Sequence, residues 1–238
     1  MKRASHPVCP VFSMKMIIKN IDFDKQELHN LAKEFFMSIS GLNREGRKYE
    51  RMREEALRIR TLVQAKMNPL AEYRFYNDLT LQGDRLTVNG IDIICGAFKQ
   101  LDQDMLEGVY LYVVSFGDIS LPDVKAIEQL YADYWGNAYT DALRGILKAE
   151  LENTSVISDS FGPGFYGMDT GEIVKLGQLL DFEGKGISLK NGQLMMPQKS
   201  CTGIIFKVND NYKKIDDACK SCQGNHLNCR MCIVNRSR

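Results

Sequence analysis

Ser160-Phe161-Gly162-Pro163-Gly164-Phe165-Tyr166-Gly167 opens an ordered series of blocks. It continues through Leu179-Leu180-Asp181, Gly186-Ile187-Ser188-Leu189, Met195-Met196-Pro197 and Lys199-Ser200-Cys201-Thr202-Gly203. Three glycines and a proline within the wider stretch Ser158 to Met168 demand a turn or loop, because glycine admits positive φ and proline fixes its own. Glycine also lets backbone N–H groups approach a small ligand, so Gly162 to Tyr166 is a candidate binding loop; a plain surface turn is the other reading. Past the loop, Asp169 or Thr170 can cap a short helix whose buried face is Ile173, Val174, Leu176, Leu179 and Leu180. Asn191-Gly192 between Gly186 to Leu189 and Gln193 to Met196 is a strong hairpin signal, and Cys201 to Val208 reads as a further strand.

Upstream, Gly108 to Phe116 (Gly-Val-Tyr-Leu-Tyr-Val-Val-Ser-Phe) is β-branched and aromatic throughout and reads as a buried central strand. Leu28, Leu31, Ala32, Phe35, Phe36 and Ile39 recur at intervals of three and four, predicting an amphipathic helix over Lys25 to Ser40 that stops at Gly41. A second helix is expected over Arg44 to Lys66, with Tyr49, Met52, Ala56, Ile59, Leu62 and Val63 on one face and interspersed charges on the other. Tyr73 to Leu81 and Leu86 to Val88 are expected as strands joined at Gly83-Asp84, and Asn89 as the cap of a helix over Ile91 to Leu101. A long helical region is expected from Leu121 to about Leu151, with Trp135 in the core.

The whole-chain numbers restrict the function classes. In 238 residues, 31 Lys+Arg against 30 Asp+Glu leave a net charge of +1, so no overall field attracts nucleic acid or anionic membrane. The longest apolar runs, such as Val109 to Phe116, fall well short of the roughly 20 residues a membrane-spanning helix needs. The start of the chain, broken by Pro7 and Pro10, lacks the apolar core of a signal peptide, and a cytoplasmic location is expected.

Of 7 cysteines, four form Cys219-x-x-Cys222 and Cys229-x-x-Cys232 near the C-terminus. Two such pairs present four thiolates to one metal centre, either zinc as a structural staple or an iron–sulfur cluster with one-electron chemistry, and the spacing does not choose between them. From Lys207 onward the tail carries seven basic and three acidic residues, which suits an acidic protein partner; the near absence of stacking aromatics argues against nucleic acid. Cys9, Cys95 and Cys201 stand apart; for Cys95 and Cys201, packing is the expectation.

The ordered blocks from Ser160 to Phe206 resemble the reactivation domain of cobalamin-dependent methionine synthase, especially its free-standing single-domain relatives, some of which also end in a cysteine cluster. The likeness extends more loosely upstream, through Ile91 to Ile94, Tyr110 to Gly117 and Asp133 to Leu147, and covers roughly Leu28 to Lys207. It implies an α+β fold: a twisted antiparallel sheet with surrounding helices, expected over residues 25–208, between an N-terminal extension (1–24) and a cysteine-rich metal-binding tail (209–238).

The resemblance also implies a role as accessory protein in reductive reactivation of a corrinoid-dependent methyltransferase. Partners would be a corrinoid protein and an electron donor protein, and S-adenosylmethionine would methylate the cobalt after one-electron reduction of cob(II)alamin. Rivals are a non-catalytic module that binds a corrinoid protein and carries a zinc tail, and an iron–sulfur electron-transfer protein.

Carried over by position, Pro163, Gly164 and Phe165 fall on the family's ligand loop. Phe165 stands where tyrosine is usual, and Tyr166 could supply the hydroxyl. Asp141 maps to the acidic residue that holds the ligand's ammonium. Ser160 stands where the family's arginine pairs with the ligand's carboxylate, and a hydroxyl cannot replace a guanidinium fork.

Overall fold

The structure, a computed structural model, describes residues 16–213. At its centre is an antiparallel five-stranded sheet in the order β1-β2-β6-β10-β7. The strands are β1 (Ile17–Asn20), β2 (Leu70–Tyr76), β6 (Leu106–Gly117), β7 (Ile157–Phe161) and β10 (Lys199–Val208). β6 is the hub: Gly108 to Gly117 are all buried, and β2 and β10 flank it.

Side-chain alternation along β6 divides the core in two, as a pleated strand buried on both faces must. Tyr110, Tyr112, Val114 and Phe116 face a helical layer, whereas Val109, Leu111 and Val113 face a second layer built from later elements. The helical layer holds α1 (Lys25–Ser40), α2 (Arg47–Ala65) and α3 (Ala126–Glu152). Asp24 caps α1 by accepting from the Glu27 N–H at 2.8 Å, and Gly41 ends it in the left-handed region at φ 67°. Trp135 of α3 stacks on Phe36 of α1 at 3.9 Å and donates from Nε1 to the Ala56 carbonyl of α2 at 2.7 Å, tying all three helices together.

The other face carries a three-stranded sheet, β3 (Leu79–Gln82), β4 (Arg85–Val88) and β5 (Ile91–Ile94), with α4 (Ile173–Leu180) and the hairpin of β8 (Ser188–Lys190) and β9 (Leu194–Met196). Asn191 and Gly192 turn that hairpin at φ 55° and 68°, as their dipeptide predicts. The architecture is thus α+β, with antiparallel sheets and surrounding helices.

Four local expectations are corrected. Asn89 does not cap a helix. Asn89 and Gly90 adopt φ 49° and 72° and turn β4 into β5, so Ile91–Ile94 is a strand and only Gly96–Gln100 coils, as a 3-10 turn. Ser158 to Phe161, expected as loop, lies in edge strand β7, whose short, polar Ile-Ser-Asp-Ser-Phe sequence hides its strand character. The long helix starts at Ala126, after an irregular stretch following Leu121. The sheet begins at Ile17, ahead of the boundary expected at Lys25, because β1 pairs with β2 and Ile21 is buried. Cys9 and the expected metal ligands Cys219, Cys222, Cys229 and Cys232 lie outside the described residues.

Candidate functional site

The glycine-rich loop leaves the end of β7, the last strand of the sheet, and returns to α4. Its shape is set by backbone bonds: Phe165 N–H donates to Gly162 O at 3.0 Å, Met168 N–H to Phe165 O at 2.9 Å and Gly164 N–H to Met168 O at 2.9 Å. This winding needs φ of 86° at Gly164 and 56° at Tyr166. The first is cheap only for glycine, and the second marks Tyr166 as held by its surroundings. The 3-10 turn after β5 holds it: Ala97 N–H donates to Tyr166 O at 3.0 Å, Gly96 N–H to Gly167 O at 3.2 Å, and the Cys95 thiol to Tyr166 O at 3.4 Å. Tyr166 also lays its ring against Phe161 at 5.1 Å. Buried Cys95 therefore packs, as expected, and also braces this loop; burial pushes its thiol up to about 11.

Beside the loop is a cavity of about 400 Å³, within the roughly 300–1,000 Å³ of small-molecule sites. Gly162, Pro163, Phe165 and Tyr166 form one wall, and Ser160 of β7 continues it. Tyr112 of β6 and Ser200, Cys201 and Thr202 of β10 line the sheet side. Gln193 to Met195 and Gln198 close it from the hairpin, Ile173 from α4, and Arg144 from α3.

The polar groups in this cavity are organised around Tyr112. Its hydroxyl and the Ser160 hydroxyl are 2.8 Å apart, and Thr202 Oγ1 donates to the Tyr112 carbonyl at 2.6 Å. Gly203, the register partner of Tyr112, makes room for that ring, because a Cβ there would stand 2.8 Å from the Tyr112 hydroxyl and 2.6 Å from Phe161 O. Burial pushes the Tyr112 phenol well above its ordinary value, and burial likewise pushes the Cys201 thiol up to about 12, so both are neutral at physiological pH. Arg144 donates from Nη2 to Asp141 Oδ1 at 3.0 Å.

Of the residues singled out in the sequence, Ser160, Gly162, Pro163, Phe165 and Tyr166 line one cavity together. Gly164 shapes the loop without lining it, and Phe165 is 65% exposed at the rim. Asp141 stands behind the lining, one helical turn from Arg144 and bonded to it. Arg144, Tyr112, Gln193 and Gln198 were not singled out by sequence reasoning. Tyr112 is disguised as one more core residue of a central strand. Arg144 had a faint signal, since it lies three positions from Asp141 on a helix and so on the same face.

Among the described residues the lining supplies hydroxyls, amides, one thiol, apolar groups and a single charge, Arg144. Among the described residues the lining holds no carboxylate and no histidine. No group of three or more His, Cys, Asp or Glu among the described residues is placed to hold a metal ion. No helix among them is long and apolar enough to cross a membrane.

No protein-family model matches the chain, and no curated protein matches it. Among solved structures, the chain is similar to a crystal structure of the MetH reactivation domain bound to AdoHcy, with a TM-score of 0.56 over 82% of this chain and 80% of that one. At 14% sequence identity, the likeness is one of fold. It extends over most of both chains, consistent with the mixed architecture of antiparallel sheets and helices described above.

Proposed function

We propose that this protein is an accessory factor in reductive reactivation of a corrinoid-dependent methyltransferase, and that the cavity beside Gly162 to Tyr166 is its S-adenosylmethionine site. One observation carries the reading. The loop singled out from the sequence walls a cavity of ligand size, in a fold shared with a reactivation domain bound to AdoHcy.

In this reading S-adenosylmethionine supplies a methyl group whose S–C bond breaks with its electron pair returning to sulfur. The methyl passes to the cobalt of a partner's corrinoid, reduced beforehand by one electron from a separate donor protein. The chain's own residues bind and orient. The Gly162–Tyr166 loop and the Tyr112–Ser160 hydroxyl pair hold the donor in one pose, and docking of the corrinoid partner covers the exposed Phe165 ring and excludes water. The thiolates of Cys219, Cys222, Cys229 and Cys232 provide a metal site. Elemental analysis and the visible absorption of anaerobically purified protein separate zinc from an iron–sulfur cluster.

The test is calorimetric titration of S-adenosylmethionine and S-adenosylhomocysteine into the full chain. Micromolar binding that is lost in Gly164→Val, whose backbone cannot hold φ 86° without strain, is the expected result. Absence of heat up to millimolar ligand in a folded protein overturns the site assignment.

A further inference from the structure

The two edges of the five-stranded sheet are built differently. β7, beside the cavity, carries Asp159 at its centre, and a register shift interrupts its pairing with β10. Both devices discourage another strand from adding there. β1, at the far edge, has neither. Its register with β2 is regular from Ile17↔Phe75 to Asn20↔Glu72, its residues are exposed, and among the described residues no strand lies on its other side. Met16, Ile17 and Ile18 follow one another at 43%, 54% and 48% exposure.

The backbone of this edge has a defined direction. Ile21 N–H donates to Ala71 O at 2.8 Å, and by the alternation of an antiparallel ladder Lys19 and Ile17 also turn their N–H and C=O groups to β2. Those of Ile18 and Asn20 therefore point to the open side. Side chains alternate too: Ile17 and Lys19 stand beside Phe75 and Tyr73 on the helical face, and Ile18 stands beside Arg74 on the other. Lys19 is ion-paired with Glu150 of α3, so the single charge of the strand is balanced.

We propose that this edge pairs with a second copy of the chain, β1 to β1, antiparallel about a two-fold axis at Ile18. The strand is complementary to itself in this register. Ile18 N–H donates to Ile18 O of the second copy, and the reverse bond closes the pair. Ile17 lies across from Lys19 of the second copy, whose stem covers it. The Lys19–Glu150 pairs of the two copies meet on the helical face with opposite signs within reach of each other, and a net charge of +1 leaves no long-range repulsion between copies. One short strand makes a small interface, so the dimer is reversible. Because β7 is the opposite edge of the sheet, the cavity stays open in the dimer, and the pairing does not depend on what that cavity binds.

The test is sedimentation velocity on the full chain with its thiols reduced, over roughly 1 to 500 μM, where small interfaces associate. A shift from monomer to dimer with concentration is expected. Ile18→Pro leaves the β1–β2 ladder intact, since the Ile18 N–H faces away from β2, and should weaken the dimer at least about 10-fold by deleting both bonds of the central pair. Ile17→Lys sets like charges across the axis and should weaken it about 5-fold, whereas Ile17→Glu meets Lys19 of the second copy and should change it by less than about 2-fold. Unfolding midpoints taken where the wild type is monomeric show that the variants are folded.

A chain that stays monomeric throughout leaves the edge to another protein's strand and overturns the proposal. A dimer that Ile18→Pro leaves as tight as the wild type, or equal losses from Ile17→Lys and Ile17→Glu, overturns it as well. Amide hydrogen exchange at Ile18 covers the remaining occupant. Exchange that slows only as the dimer forms is expected; exchange already slow in the monomer shows the edge closed by the chain's own residues and sinks the idea.

Discussion

The helical layer and the β7–α4 region face the same sheet and use aromatic residues in opposite ways. In the helical layer the central rings are locked. Trp135 stacks on Phe36 at 3.9 Å, Phe116 on Tyr139 at 4.4 Å, and the Tyr139 hydroxyl meets Gln64 at 2.6 Å and His29 at 3.1 Å. In the β7–α4 region Phe165 is exposed and Tyr166 sits at positive φ, and the neighbouring Tyr112 of β6 offers its hydroxyl to the cavity they share. The first region stores stability in close packing. The second leaves polar groups addressable and keeps its shape through backbone bonds to the turn at Gly96 and Ala97.

That contrast predicts that stability and binding respond to different substitutions. The largest stability loss is expected for Trp135→Ala, which empties a fully buried site shared by three helices. It should cost about 3–5 kcal/mol in urea unfolding while leaving ligand affinity of the folded fraction unchanged. A loss under about 1 kcal/mol would show that the stack is not what holds the helices.

Gly203→Ala probes the seam between the regions. Its Cβ would collide with Phe161 O and the Tyr112 ring, so a loss of about 1–3 kcal/mol is expected together with weakened ligand binding, because Tyr112 must move. Unchanged binding would disconnect Tyr112 from the site.

Gly164→Ala should cost only about 1–2 kcal/mol, the penalty of a left-handed backbone for a residue with Cβ, since its Cβ would meet only Thr170 at an ordinary 3.5 Å. Its effect on affinity should exceed its effect on stability, the reverse of Trp135→Ala. An unchanged calorimetric affinity would mean the loop conformation is irrelevant to binding.

The smallest effect near neutrality comes from pH. Burial raises Cys95 to about 11 and Cys201 to about 12 from an unfolded value near 9. Above pH 9 the unfolded chain sheds thiol protons that the folded chain keeps, so stability contributed by these thiols is complete below pH 9 and declines as pH rises toward 12. The urea midpoint should fall between pH 8 and pH 10, and less so in a Cys95→Ala, Cys201→Ala variant. Equal falls in both proteins would assign the effect to other groups.

Much of the fold was legible because its elements carry strong local codes. The period of Leu28, Ala32 and Phe36 shows α1, and the unbroken Val109 to Phe116 run shows β6. The same Asn-Gly code that turns β8 into β9 also stands at Asn89-Gly90, and reading Asn89 as a helix cap cost the strand at Ile91–Ile94. Strands β1 and β7 were not legible, since such short edge segments acquire strand character from the neighbour they pair with.

The candidate site divides the same way. The loop Gly162 to Tyr166 announced itself by composition, because positive φ and close backbone approach require glycine locally. Arg144 and Tyr112 could not be found so, since their roles depend on which elements converge. Tyr112 is 48 residues from its partner Ser160, and only the pairing of β10 with both β6 and β7 brings the two hydroxyls together.

The sequence by itself determined the long helices, the central strand, the Asn191-Gly192 turn and the glycine-rich loop, because each is specified by contacts between near neighbours or by a residue's own φ preference. Tertiary structure alone decided the strand order, the edge strands, the cavity and the cation that faces it, because those arise from pairings between distant segments whose partners no local pattern names.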